Sequence, residues 1–237
     1  MKEKIKLAKA QEAEETRSKF ENKKYENQEL IDKVEGTANS LLKETTCNKY
    51  RDHFFPLMID KLGLKTGVEI GVDLGLFSKH ILEKTKIEKY YCADLWMDDF
   101  GSDFKPGYYD KDGSKRFNQA YELLKPYGDR VVMMRMSSVE ASKKIEDNSL
   151  DFCYIDGDHS LFGVALDLLM WVPKVKVGGI IGLHDFKDGP RSGIKDFWGE
   201  QLDYKVKTAT EEYCLRFGHK LNPIGGRILN AWFVKNR

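Results

Sequence analysis

What most constrains this chain is a series of short apolar runs, each closed by a polar cluster and separated from the next by helically spaced apolar residues. The runs cover 68–70, 89–96, 131–136, 150–155 and 178–183. Leu150 to Ile155 is almost continuously apolar, as expected of a strand covered on both faces. Between the runs, Leu76, Phe77, Ile81 and Leu82 recur at helical spacing up to Lys84. Phe117, Tyr121 and Leu124 do so up to Pro126, and Leu161, Phe162, Ala165, Leu168, Leu169 and Val172 up to Pro173. Strand and helix in alternation predict an α/β fold: a Rossmann-like, doubly wound, mostly parallel sheet with helices on both faces. After a helix predicted over 193–202 come closely spaced β-like stretches at 204–208, 212–217 and 228–235, with a turn at Gly225-Gly226. They predict an antiparallel hairpin on the C-terminal edge.

Residues 1–48 read as a charged helical extension and 49–237 as the domain. The extension is rich in Lys, Glu, Gln and Asn, and Gly36 is expected to end its helical part. Its apolar residues do not sustain a heptad, so a solvated helix is the plain reading and a homo-oligomer through this helix the sharper one. Pro56 suits the first turn of a short helix over 57–62, closed by Gly63. Residues 97–114 read as a long loop that serves as a lid or binding loop. The net charge of +1 gives no bias toward nucleic acid. No run is long enough to span a bilayer, no signal-peptide core opens the chain, and Cys47, Cys92, Cys153 and Cys214 are scattered. A cytoplasmic protein with neither membrane nor nucleic-acid partner is expected.

In a doubly wound sheet the carboxyl ends of the strands share one rim, and ligands bind there. Glu69 and Gly71 close the first run, Asp94 the second, Asp156, Asp158 and His159 the fourth, and His184 and Asp185 the fifth. A carboxylate placed like Asp94 accepts hydrogen bonds from a ribose. A dinucleotide fingerprint starting at Gly71 would need glycine at 73 and glycine or alanine at 76, where the chain has Asp73 and Leu76. That makes a nicotinamide-dependent oxidoreductase a poor fit, because Asp73 would repel a pyrophosphate. A ribose-bearing cofactor without phosphate fits better. S-adenosylmethionine (SAM) is one, and its sulfonium and ammonium suit Glu69 and Asp73.

The Val68–Ser78 segment, Asp94, the Tyr154–Ser160 run and the Gly178–Asp185 run together resemble class I SAM-dependent methyltransferases. More narrowly they resemble the small-molecule O-methyltransferase-like group with an Asp-Gly-Asp-His signature and a later His-Asp. The start of the predicted helix at Gly193–Trp198 resembles that group too. The resemblance implies a cofactor loop of Glu69, Gly71, Asp73 and Gly75, a ribose held by Asp94, and Trp96 flanking the adenosine. It places Ser137 and Ser138 near the adenine, although Ser137 with Glu140 also has capping-box spacing. Asp156 would lie near the methionine end and the acceptor.

The implied activity is methyl transfer to an oxygen of a small-molecule or sugar-like acceptor, which needs a base or a metal. Related metal-dependent enzymes imply Asp156, His184 and Asp185 as ligands of magnesium or manganese, with His184 departing from an all-oxygen set. His159 or His184 as general base, beside Asp156, is the other reading. A non-catalytic or altered-chemistry protein that binds partners through residues 1–48 is the alternative function. Lys187, Arg191 and Lys195 read either as contacts to an anionic substrate or as a solvated loop.

Overall fold

A computed structural model describes residues 2–44, 50–96, 113–195, 201–225 and 229–237. In chain order the elements are α1 (Lys2–Lys43), α2 (Arg51–Leu62), β1 (Thr66–Ile70), α3 (Leu76–Lys84), β2 (Lys89–Asp94), α4 (Gly113–Leu124), β3 (Val131–Arg135) and α5 (Ser138–Ser142). They continue with β4 (Leu150–Ile155), α6 (Leu161–Trp171), β5 (Val175–Leu183), β6 (Asp188–Lys195), β7 (Gln201–Lys205), α7 (Val206–Phe217), β8 (Asn222–Ile224) and β9 (Asn230–Val234). The main sheet has the order β3-β2-β1-β4-β5-β9-β8, with β3 through β5 parallel and β9 antiparallel to both its neighbours. The expected Rossmann-like sheet with an antiparallel C-terminal edge is what forms.

Alternation along the central strands feeds two apolar layers. Phe152, Tyr154, Ile180 and Trp232 face one layer with Phe54, Phe55, Met58 and Phe77 of α2 and α3. Cys153, Ile155, Ile181 and Phe233 face the other with Val164, Leu168 and Trp171 of α6 and Val206, Ala209 and Cys214 of α7. This two-sided burial is why the strands read as apolar runs rather than as alternating ones.

Three expectations are corrected. First, Gly36 does not end α1, which runs on to Lys43. Val34, Ala38 and Leu41 are buried against the sheet, so packing outweighs the modest helix cost of one glycine. The later turns of α1 are therefore not solvated. Second, α2 starts at Arg51, which leaves Pro56 inside it. Burial of Phe54, Phe55, Met58 and Ile59 along α2 offsets the hydrogen bond that proline cannot donate. Third, the described ends of the helix expected over 193–202 are strand: 193–195 close β6 (Asp188–Lys195) and 201–202 open β7, which pairs with β6 from Asp188↔Lys205 onward, while the stretches at 204–208 and 212–217 fall largely in α7. Buried Val206, Ala209, Thr210 and Cys214 follow a helical period, and Gly218 closes α7 in the left-handed conformation. Residues 97–112, Trp198 and Gly226 lie outside the described residues.

Candidate active site

The strand order reverses between β1 and β4, so a crevice opens above their carboxyl ends. The β1–α3 turn beside it needs three left-handed residues: Gly71 (φ 83°), Asp73 (φ 52°) and Gly75 (φ 77°). At Gly71 a Cβ would lie 2.1 Å from the carbonyl oxygen of Asp156. Gly71→Ala is accordingly expected to destabilise the protein by about 2–4 kcal/mol, read by urea denaturation. A loss below ~1 kcal/mol would show that the turn and the β4 end can separate freely.

Asp73 is held from three directions. Its N–H donates to Asp94 Oδ2 at 2.8 Å, its carbonyl accepts from Trp96 Nε1 at 2.8 Å, and its carboxylate pairs with Arg116. The N–H of Trp96 donates to Asp94 Oδ1 at 2.8 Å. Asp94 thus ties the β1 turn to the end of β2. Burial raises its pKa against these two backbone donors. The Trp96 ring is buried edge-on to Phe117 at 5.1 Å, so it braces the loop from behind. Glu69, at the end of β1, is 1% exposed and accepts from Ser78 Oγ. Burial pushes its pKa up to about 8, despite that hydrogen bond.

Ser137 and Ser138 are both engaged within the protein. Ser137 completes the expected capping box with Glu140 at the start of α5. Ser138 donates to the buried Asp167 and accepts from Trp171 Nε1 at 2.7 Å. Asp158 accepts from the N–H and the hydroxyl of Ser160, which caps α6, so the helix does not use Asp156 as its cap.

Asp156 stands at the centre of the second half of the crevice. His184 Nδ1 lies 2.9 Å and His159 Nε2 3.3 Å from its Oδ1, while Arg51 Nη1 lies 2.6 Å from its Oδ2. Burial alone would raise this carboxyl; the two imidazoles and the guanidinium outweigh it and hold the pKa well below the usual carboxylate range. The imidazoles approach off-line, and none of their four buried nitrogens has an aligned hydrogen-bond partner. Asp156, His159 and His184 each offer a donor atom, all within 4.8 Å of one another. Asp185, a sequence candidate for the ligand set, lies just outside this group, its Oδ2 3.7 Å from His184 Nδ1. Its other carboxylate oxygen, Oδ1, lies 3.7 Å from Lys187 Nζ.

Two residues absent from the sequence reading also shape the site. Arg51 reaches it from the start of α2, and no motif marks it. Tyr204, at the base of the β6–β7 ribbon, sets its ring edge-on to His159 at 5.2 Å. The N–H of Lys205 donates to the His159 carbonyl at 2.9 Å, and Lys187 Nζ lies 4.1 Å over the Tyr204 ring. Of the three basic residues suspected of anion contact, Lys187 is therefore occupied by Asp185 and Tyr204. The side chains of Arg191 and Lys195 lie outside the described residues.

The family described as Methyltransferase domain matches residues 68–186, half of the chain, from β1 through the His184-Asp185 pair. The chain belongs to this methyltransferase-domain family. The match covers the glycine turn, Asp94 and the Asp156–His159–His184 cluster of this methyltransferase-domain protein. A Sinorhizobium fredii protein, Uncharacterized protein y4gI, is 24% identical over 138 residues, 56% of this chain. The chain spans only 14% of the length of that relative.

Among solved structures, the O-methyltransferase TomG of Streptomyces achromogenes, in complex with SAM, aligns with TM-score 0.54 and 11% identity over 87% of this chain and 90% of its own. The O-methyltransferase of Bacillus cereus, in complex with S-adenosylhomocysteine (SAH), aligns with TM-score 0.53 and 12% identity over 87% and 91%. Cofactor-bound Rv0187 from MTB aligns with TM-score 0.55 and 12% identity over 88% and 90%. At these identities the likeness is one of fold. Among the described residues no helix is long and apolar enough to cross a membrane.

Proposed function

We propose that this protein is a SAM-dependent methyltransferase that acts on an oxygen of a small-molecule acceptor. The observation that carries this reading is the convergence of Asp156, His159 and His184 on the same rim as the Asp94-braced turn. Bound in the crevice, SAM supplies a methyl group on a sulfonium. The chain's part is to hold the acceptor in line and remove its proton. Asp94 retains lone pairs for ribose hydroxyls, and Glu69, buried at the end of β1, is assigned to the cofactor's cationic arm.

A carboxylate held as far down as Asp156 is a poor proton acceptor. His184 or His159 is the better base, with Asp156 stabilising the imidazolium that forms. The same three residues fit a divalent metal, because buried imidazole nitrogens without aligned partners beside a carboxylate are a ready donor set. Two nitrogens and one oxygen suit manganese, iron or zinc better than magnesium. Such an ion would lower the acceptor's pKa. In this reading residues 49–237 are the methyltransferase domain and α1 is an extension whose later turns cover the sheet. A purely assembly role for α1 has less support, since Val34, Ala38 and Leu41 are committed to this chain's own core.

Calorimetric titration with SAM, with and without manganese or magnesium, tests the proposal. Micromolar binding is expected, weakened roughly tenfold or more in Asp94→Ala by loss of charge-assisted hydrogen bonds. No binding under any condition would sink the cofactor assignment, and unchanged affinity in Asp94→Ala would sink the ribose role.

A further inference from the structure

Arg51 starts α2 yet ends over the crevice between β1 and β4. Its guanidinium carbon lies 4.9 Å over the Phe77 ring and 5.8 Å from the Tyr154 ring, and Nη1 is 2.6 Å from Asp156 Oδ2. Two aromatic faces and two carboxylates, Asp156 and the more exposed Asp52 (Oδ1 3.4 Å from Nε), hold the plane of the fork in place. The side chain is nevertheless 26% exposed, so the fork is not sealed off. Of the other acidic groups along the rim, Glu69, Asp73 and Asp94 suit the positive and hydroxyl parts of SAM, while Asp158 is bonded to Ser160 and Asp185 lies beside His184 and Lys187. Arg116 is committed to Asp73, on the ribose side. Among the described residues around the β1–β4 junction, Arg51 is the cation placed for the cofactor's one anionic group.

We propose that Arg51 and Asp156 together bind the amino-acid end of the cofactor, Arg51 taking its carboxylate and Asp156 its ammonium. This rests on the SAM reading above and extends it to a residue outside the family match, which begins at residue 68. An arginine–aspartate ion pair is complementary, charge for charge, to an α-amino acid, whose carboxylate and ammonium sit on one carbon. The spacing agrees. Asp94 and Asp156 close β2 and β4, the strands on either side of β1. Two inter-strand steps span roughly 10 Å, a distance that a ribose followed by a sulfur and two methylenes can cover. The pair is also tethered: His159 and His184 lie on Oδ1 of Asp156, which leaves Oδ2 to Arg51.

The test compares SAH with its decarboxylated analogue, S-adenosyl-3-thiopropylamine, which keeps the adenosine, the sulfur and the ammonium. Both are titrated calorimetrically into the 237-residue chain, wild type and Arg51→Gln, with Arg51→Lys as the variant that keeps the charge and loses the fork. Wild type is expected to favour SAH about ten- to a hundredfold, as for a charge-assisted hydrogen-bonded pair. Arg51→Gln should reduce that preference to less than about threefold, mainly by weakening SAH, with Arg51→Lys in between. Because the preference is a ratio within one variant, a general loss of stability cancels. A preference that survives in Arg51→Gln, or equal affinities for the two ligands in wild type, would overturn the proposal. If wild type binds neither ligand, the failure lies with the cofactor reading itself.

Discussion

Asp156→Ala is expected to lower the stability of the folded protein by about 2–4 kcal/mol at neutral pH, because it removes the nearer carboxylate from the mostly buried guanidinium of Arg51 and leaves only the more distant Asp52. The two side chains are 15% and 26% exposed, so solvent screens the pair little. The same substitution should abolish methyl transfer and any metal binding at the site, since it removes the group on which both imidazoles converge. Urea denaturation reads the first effect and manganese titration the second. The pH dependence has a definite sign. The folded pKa of Asp156 lies below its unfolded value, so its stabilisation is complete above the ordinary carboxylate range and is lost as pH falls from that range down through the lower folded value. Wild type should therefore lose stability more steeply than Asp156→Ala below about pH 4. Parallel acid limbs would show that the ion pair contributes nothing net.

Glu69→Gln should act in the opposite direction. Burial raises the Glu69 carboxyl from 4.5 to about 8, so the folded state holds a proton that the unfolded state has already released. Stability must then fall as pH rises between these values, by a total on the order of a few kcal/mol. Glutamine mimics the protonated acid and removes that slope, so the variant should match wild type near pH 5 and exceed it by pH 8 to 9. Urea denaturation across pH 5–9 measures the difference. Curves of equal slope would mean that Glu69 ionises normally despite being 1% exposed. Under the proposed cofactor assignment there is a second signature: a sulfonium near Glu69 favours its carboxylate. SAM should then release more protons on binding at pH 7 than uncharged-sulfur SAH, seen as a buffer-dependent enthalpy.

These two carboxylates illustrate how unevenly a site can be read from a chain. Glu69, Asp94, Asp156 and His184 were legible because each closes an apolar run, and a parallel sheet brings such ends to one rim. The glycine turn was legible because few residues but glycine accept its left-handed dihedrals, and a side chain at Gly71 would collide with the β4 end. Ser137 was legible twice over, as a capping box and as a rim residue, and it is the cap that the described geometry shows in use.

Local pattern therefore determined the central strands, the helices between them, the antiparallel edge and the rim that holds most of the candidate site. Long-range packing decided the rest. α1 continues past Gly36 and α2 continues through Pro56 because each buries a face on the sheet, an energy that local propensity does not register. The 188–195 stretch is a strand because a partner, β7, exists for it to pair with. Arg51 and Tyr204 enter the site on elements more than forty residues from Asp156, across contacts with no sequence spacing to betray them. The physical reason is the same in each case: repeats of two or 3.6 residues report which face of an element is buried, but only the assembled layers determine what that face meets.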